Sequence, residues 1–268
     1  MLLGCAASGR AAHLSEKADR AFNEYIGRAR AAYCARPASL WVDADPDRLQ
    51  RVRNGEVVVG PVGLSPRPIP DGLIHDWIAA EFIPGATIGE VFQVVRNYDR
   101  YSDFYAPHVM ASQSLGHTGA QYRFALRLVN KALLSKSALD SEYSESYVPL
   151  DDTHWYSLAY STSIRQFDHF GDADEHLLPG GEGSGYLWRL FTISKFMQRD
   201  GGVYLEMEVI ALSRTVPAML HWFVDPIVRR TAAAALDTSM EETRAAVVDR
   251  VKMLSNPGVV ASLARARP

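Results

Sequence analysis

Between Pro107 and Arg214 the chain offers six successive segments of strand character. An alanine-rich stretch free of glycine and proline, 227–251, comes soon after them. Nothing else constrains the fold as much. A run of neighbouring antiparallel strands needs one face covered, and a long helix that follows them is the natural cover. The predicted strands are 108–115, 120–129, 132–147, 153–167, 185–196 and 203–214, with hairpin-type connections at 116–119 and 199–202. A connection with an even number of residues around Asp200-Gly201 sets Lys195 opposite Glu206. Trp188, Leu190, Thr192, Ser194 and Phe196 then share a face with Val203, Leu205, Met207, Val209 and Ala211. The other face carries Arg189, Lys195, Glu206, Glu208 and Arg214 and reads as solvated, with opposite charges paired across strands. The same parity turns Tyr122, Phe124 and Leu126 inward and Arg123 and Arg127 outward. Strand 153–167 is undecided.

The remaining elements follow from local signals. Residues 14–33 read as a helix capped by Ser15, with Phe22, Tyr25, Ile26 and Ala29 at helical spacing. A linker over 34–46 is anchored by Trp41, and 50–59 reads as a strand containing a turn at Asn54-Gly55. Residues 60–72, rich in proline and glycine, form a boundary. A strand over 73–83 stops at Pro84-Gly85. Thr87 and Glu90 make a capping box for a helix that ends at Asn97, and 98–105 form an aromatic-rich helical turn. Asp225-Pro226 reads as the start of the last helix, with 216–224 as a separate shorter helix before it. These signals divide the chain into an extension (1–71), a core domain (72–252) and a tail (253–268).

Composition removes several classes of function. The formal net charge is −3, whereas a nucleic-acid surface needs a basic excess. No apolar run is long enough to cross a bilayer as a helix. Cys5 and Cys34 form no CxxC pair, so zinc is not expected, and a disulfide between them is left open. Leu2-Leu3-Gly4-Cys5 resembles the end of a lipoprotein signal with too short a run before it, so cytoplasm and export both stay open. The acidic loop 168–184 lacks the alternation of a calcium loop. Neither a nucleotide-binding glycine loop nor a serine-hydrolase elbow is present, and no cofactor is expected.

The order of elements, with Trp77-Ile78-Ala79-Ala80-Glu81-Phe82-Ile83-Pro84-Gly85-Ala86-Thr87, Asn97-Tyr98-Asp99-Arg100-Tyr101, Gly185-Tyr186-Leu187-Trp188-Arg189-Leu190, Gly201-Gly202-Val203-Tyr204-Leu205-Glu206 and Leu212-Ser213-Arg214-Thr215-Val216-Pro217, resembles the START-like (SRPBCC) superfamily over about residues 72–251. That group includes lipid-transfer domains, plant pathogenesis-related allergens and bacterial polyketide cyclases. The resemblance implies an α+β helix-grip fold, a curved antiparallel sheet wrapped around a long C-terminal helix. It also implies a hydrophobic cavity between the two, without identifying a ligand.

On that expectation the ligand-binding candidates are Tyr101, Tyr105, Tyr122, Phe124, Tyr143, Trp155, Trp188, Thr192, Ser194, Met207 and Trp222. In such a fold core and cavity wall are partly the same residues, so the aromatic set serves either role. Arg189 and Arg214 fall on the outer face, and Arg165 is undecided. His75 and His221 have no carboxylate partner in the pattern, so no catalytic residue is assigned. Two functions remain open. One is a carrier of a lipid, sterol-like or polyketide-like molecule, with transient membrane contact, using the 98–107 turn and the 168–184 loop as gates. The other is a cyclase or dehydratase acting in the same space. The second needs at least one inward ionisable group with a shifted pKa, and an inward, convergent acid/base pair, looked for at Arg165, Glu206, Glu208, His75 and His221, would favour it.

Overall fold

The computed structural model describes residues 13–35, 39–132, 135–184, 186–215 and 221–254, and their side chains apart from 130–137, 221–231 and 253–254. In chain order the elements are α1 (Glu16–Cys34), α2 (Pro46–Arg53), β1 (Val58–Pro61), β2 (Arg67–Ile69), β3 (Gly72–Pro84), α3 (Ile88–Val95), a 3-10 turn (Tyr98–Arg100), α4 (Tyr101–Phe104), β4 (Val109–Thr118), β5 (Gln121–Ala132), β6 (Ser135–Pro149), β7 (His154–Asp168), β8 (His176–Leu177), β9 (Arg189–Arg199), β10 (Gly202–Arg214) and α5 (His221–Leu254). A short 3-10 turn, Val42–Ala44, precedes α2.

The strands form one antiparallel sheet in the order β1-β3-β10-β9-β7-β6-β5-β4, with β2 also paired to β3 and β8 to β7. The β9–β10 hairpin closes through Asp200 and Gly201, both at positive φ (56° and 76°), the pairing that two-residue hairpins favour. Lys195 faces Glu206 as the sequence predicts. Gly202 is held to glycine by crowding, because a Cβ there would collide with the Ile83 carbonyl oxygen. The Thr87–Glu90 capping box opens α3.

α5 lies over the concave face. Leu236, Met240 and Val247 recur at helical spacing and pack with Ala79, Ile83, Val203, Leu205 and Phe196. α3 closes the same end through Val91, Val94 and Val95. This is the α+β helix-grip arrangement, with ten strands curved around the C-terminal helix.

The convex face departs from expectation. Over much of β3, β9 and β10 it is covered, because the N-terminal segment packs on it in two patches, while Arg214 and, on β5, Arg123 stay exposed as expected. α1 sets Ala18 and Phe22 against Ile74, Phe191, Ile193, Ile210 and Leu212. Leu40, Val42 and Val52 pack on Ala80, Phe82, Met197 and Tyr204. The charges there are matched rather than hydrated: Arg189 meets Asp19 at 3.0 Å, and Glu206, 2% exposed, accepts the backbone N–H groups of Trp41 and Val42 at 2.8 and 3.0 Å.

Two boundaries also differ. Residues 46–53 form α2 rather than entering a strand, because Asp45 accepts from the N–H groups of Asp47 and Arg48 and Pro46 fits the first turn. The strand starts only at Val58. In α5 the same Asp-Pro signal is overridden: the helix begins at His221, and Asp225 and Pro226 lie within it. The proposed separate helix over 216–224 falls partly outside the described residues.

Candidate functional site

Register fixes which side chains share the concave face. Reading across the sheet from β5 to β3, one row is Tyr122, Glu145, Ala159, Thr192, Val209 and Trp77. One step toward α3 lie Tyr147, Ser157, Ser194, Met207 and Ala79, and then Trp155, Phe196, Leu205 and Glu81. On the other side lie Phe124, Tyr143, Ser161, Leu190, Ala211 and His75.

The rows differ in packing. Near α3 the concave face is solid: Phe92 stands edge-on to Tyr147, Trp155 and Phe196 at ring distances of 5.5, 5.1 and 5.1 Å. In the middle, Ala159, Leu190, Thr192, Met207, Val209, Ala211 and Trp77 are only half-buried, although they face α5 rather than the outside. The convex neighbours on the same strands, Phe191, Ile193, Ile210 and Leu212, are at most 6% exposed. At these positions the usual order is reversed, the outer side chains closed off and the inner ones partly accessible, although Glu145, Ser157 and Ser194 of the same inner rows are buried.

One ionisable group stands out at the β6 end of the accessible row. The Glu145 carboxylate accepts the Tyr98 hydroxyl at 2.9 Å, and Tyr98 lies 3.3 Å from the Tyr147 hydroxyl, which donates to the Val95 carbonyl at 3.2 Å. Burial pushes the Glu145 carboxyl above the usual range, while the neighbouring Ser157, Tyr98 and Tyr147 hydroxyls and the Arg96 charge pull it down. Tyr98 stacks on Phe124 at 4.2 Å, and Phe124 on Tyr143 at 5.1 Å. Burial raises the Tyr143 phenol to about 12. Glu81 is the second inward carboxyl. It is fully buried, neither oxygen accepts a hydrogen bond among the described residues, and Arg244 Nε of α5 lies 3.9 Å away. Burial pushes this carboxyl well up.

Most of the predicted set faces the concave side. Tyr122, Phe124, Tyr143, Trp155, Thr192, Ser194 and Met207 belong to the rows just given. Tyr101 and Tyr105 reach in from α4 and its C-terminal end, Tyr101 donating to Val95 O at 2.5 Å and Tyr105 sitting 3.0 Å from Thr243 Oγ1 of α5. These bonds fasten part of the 98–107 turn that the sequence offers as a gate. Trp188 is a correction. It packs with Leu14, Ala18 and Phe22 on the convex side. Its backbone N–H donates to the Leu212 carbonyl, the residue that Arg189 already faces, so the alternation breaks one residue before β9. The side chains of Trp222 and His221 lie outside the described residues.

Arg165 is exposed and faces Asp140 across the strands, so it points away from the concave side. Glu206 and Glu208 also fall on the convex face, while His75 faces inward with Nε2 2.8 Å from Ser213 Oγ. Glu145 was missed, although the signal was legible: with Tyr143 inward, the alternation of β6 turns Glu145 and Tyr147 inward as well. No group of metal-ligating side chains occurs among the described residues, and no helix among them is long and apolar enough to cross a membrane.

No family model matches this sequence, and no curated protein matches it. Solved structures do. A fragment of a STAR-related lipid transfer protein from Xanthomonas axonopodis superposes with a TM-score of 0.50 at 18% identity, over 71% of this chain and 92% of that one. Human STARD10 gives 0.45 at 9% identity over 81% and 83%, and the Zhui aromatase/cyclase from Streptomyces sp. R1128 gives 0.44 at 10% over 69% and 98%. The first likeness bears on the fold alone, and the other two, below 0.5, are likenesses only.

Proposed function

The chain has the START-like helix-grip fold, and from that premise we propose that it binds and carries a hydrophobic small molecule between the concave face and α5. Residues 72–252 would form the binding domain and 1–71 an outer brace. One observation carries the reading: the middle of the inner face, from Ala159 through Thr192 and Val209 to Trp77, keeps accessible surface where an ordinary core would be closed. Half-buried apolar surface facing a covering helix is what a greasy guest would complete, at about 25 cal/mol per Å² removed from water. Native mass spectrometry of protein purified from its own host tests this directly. A retained apolar mass is the expected result. The bare chain alone, with no uptake of a fluorescent fatty-acid or sterol probe, would count against it.

A second reading, an enzyme of the cyclase or dehydratase type, draws on Glu145. An inward carboxyl with a raised pKa beside two phenols can donate or accept a proton. Recovery of the bound molecule after prolonged incubation separates the two: a carrier returns it chemically unchanged.

A further inference from the structure

We infer that the start of α1 latches the 178–184 loop over a seam between β7 and β9, and that a guest enters through this seam to reach the space between the concave face and α5. This rests on the binding reading above and extends it to the route and its control.

The seam follows from the pairing. β7 and β9 are laddered from His154–Met197 to Tyr160–Phe191, where the ladder stops. Past that point β7 runs on to Asp168, while Arg189 and Leu190, the first two residues of β9, keep their backbone pairing with β10. There the Leu190 N–H donates to Ser161 Oγ at 2.9 Å, a side-chain bond in place of a backbone rung. Ser161 and Leu190 stand in one inner row, and Leu190 is half-buried. A parting between them leads straight to the accessible stretch of the concave face.

A loop and a helix end cover the seam. On the β7 side the loop hangs from Gln166: the Leu178 N–H donates to its backbone carbonyl at 2.9 Å, and the Ser184 N–H to its side-chain carbonyl at 2.8 Å. On the other side the N-terminal extension holds it. The Leu14 N–H donates to the Gly181 carbonyl at 2.9 Å, Trp188 packs on Leu14, Ala18 and Phe22, and Arg189 meets Asp19 at 3.0 Å. Ser15 ties the same helix end to Asp71 of the β2–β3 turn at 2.9 Å. A cleft of about 300 Å³ remains between Leu14, Gly181, Ser163 and Arg189, so the cover is not packed solid against β7. A loop held by single backbone bonds and a partly exposed ion pair opens at far lower cost than a strand leaves a sheet. Its opening bares the seam without breaking a rung.

The test staples the latch and then loosens it. A Cβ at Gly181 would lie 3.4 Å from that of Leu14, near the separation a disulfide needs. Leu14→Cys with Gly181→Cys, in a Cys5→Ser, Cys34→Ser background, can therefore lock the loop to α1. A side chain at Gly181 is strained by its φ of 83°, so the oxidised variant is compared with its own reduced form. Uptake of cis-parinaric acid, a fluorescent fatty acid, is followed by stopped flow. The oxidised form should take up the probe about tenfold more slowly than the reduced form, to the same final level. Asp19→Ala should do the reverse: faster hydrogen exchange across 178–184, with association and dissociation both quickened and the affinity unchanged, because a gate alters rates and not the equilibrium. Equal uptake rates in the oxidised and reduced forms overturn the seam as the route and leave the binding reading standing. Should the cysteine pair fail to fold or to close, Asp19→Ala decides alone. Unchanged exchange there overturns the latch, and faster exchange with unchanged uptake overturns the route. A wild-type chain that takes up no probe overturns the binding reading, and the route with it.

Discussion

Tyr25 on α1 donates its hydroxyl to Oδ2 of Asp76 on β3 at 2.8 Å, across 51 positions of sequence. Glu208 on β10 is the diagonal neighbour of Asp76 on the same convex face. Two carboxyls thus share a patch beneath the N-terminal helix. The charged groups around them are Arg67 on β2, Lys195 on β9 and Glu206 on β10.

A pH dependence follows from that patch. Burial pushes Asp76 up to about 6 and Glu208 up to about 7. Arg67 and the Tyr25 hydroxyl pull Asp76 back down, the Asp76 charge pushes Glu208 further up, and Lys195 opposes it. Both folded values exceed those of the unfolded chain, so in this window the folded state holds protons that the unfolded state has released. The pair's contribution is full below the ordinary carboxylate range and is lost as pH rises through about 6 to 7. Thermal melts should show a midpoint that falls from about pH 5 to about pH 8. The double variant Asp76→Asn, Glu208→Gln should flatten that slope, and a wild-type midpoint that rises over the same interval would refute the assignment.

Glu206 tests how the 40–52 segment is held. Its carboxylate caps two backbone amides, those of Trp41 and Val42, where the latter bond is buried. Glu206→Ala would leave both donors unpaired and should cost about 2–4 kcal/mol in a denaturant titration, since each orphaned group carries its own desolvation penalty. A loss near zero would mean that water replaces the carboxylate without strain.

Glu81 should behave in the opposite sense. Among the described residues it has no hydrogen bond in its packed surround of Ile83, Val203 and Leu205, and the charge opposing it is Arg244 at the limit of ion-pair distance. Replacing such a group by an apolar one of similar volume is often neutral or stabilising. Glu81→Met is therefore expected to raise the unfolding free energy by about 1–3 kcal/mol, whereas Arg244→Met, which strands the carboxyl, should lower it. Destabilisation by Glu81→Met would mean that the carboxyl has a partner, such as an ordered water or a guest.

Much of this architecture was legible because strands and turns announce themselves locally. Alternation together with Asp200-Gly201 was enough to pair Lys195 with Glu206, and Thr87 with Glu90 was enough to start α3. What failed was inference about solvent. The charged face of β9 and β10 reads as wet, yet Glu206 is satisfied by backbone amides that no side-chain pattern reveals. Asp45-Pro46 carried a helix start that the apolar run at 57–59 concealed, while at Asp225-Pro226 the long helix overrode the same signal. Trp188 was misplaced because alternation was extended one residue past the strand's end. Glu145 was passed over because a charged residue invites an outward reading even when parity points it inward.

The accessible inner row allows a test by filling. Thr192 and Phe191 are adjacent on β9 and face opposite ways, Thr192 half-buried toward α5 and Phe191 6% exposed beneath α1. If the inner row borders a hollow, Thr192→Trp adds bulk where there is room, so the unfolding free energy should change by less than about 1 kcal/mol while uptake of a fluorescent fatty-acid or sterol probe is lost. Phe191→Trp adds bulk against a closed layer and should cost about 1–3 kcal/mol by overpacking while leaving uptake intact. The paired variants thus separate the two faces of one strand by stability and by binding. Equal destabilisation by both would show that the concave side is as tightly filled as the convex one, and an unaffected uptake in Thr192→Trp would place the guest elsewhere.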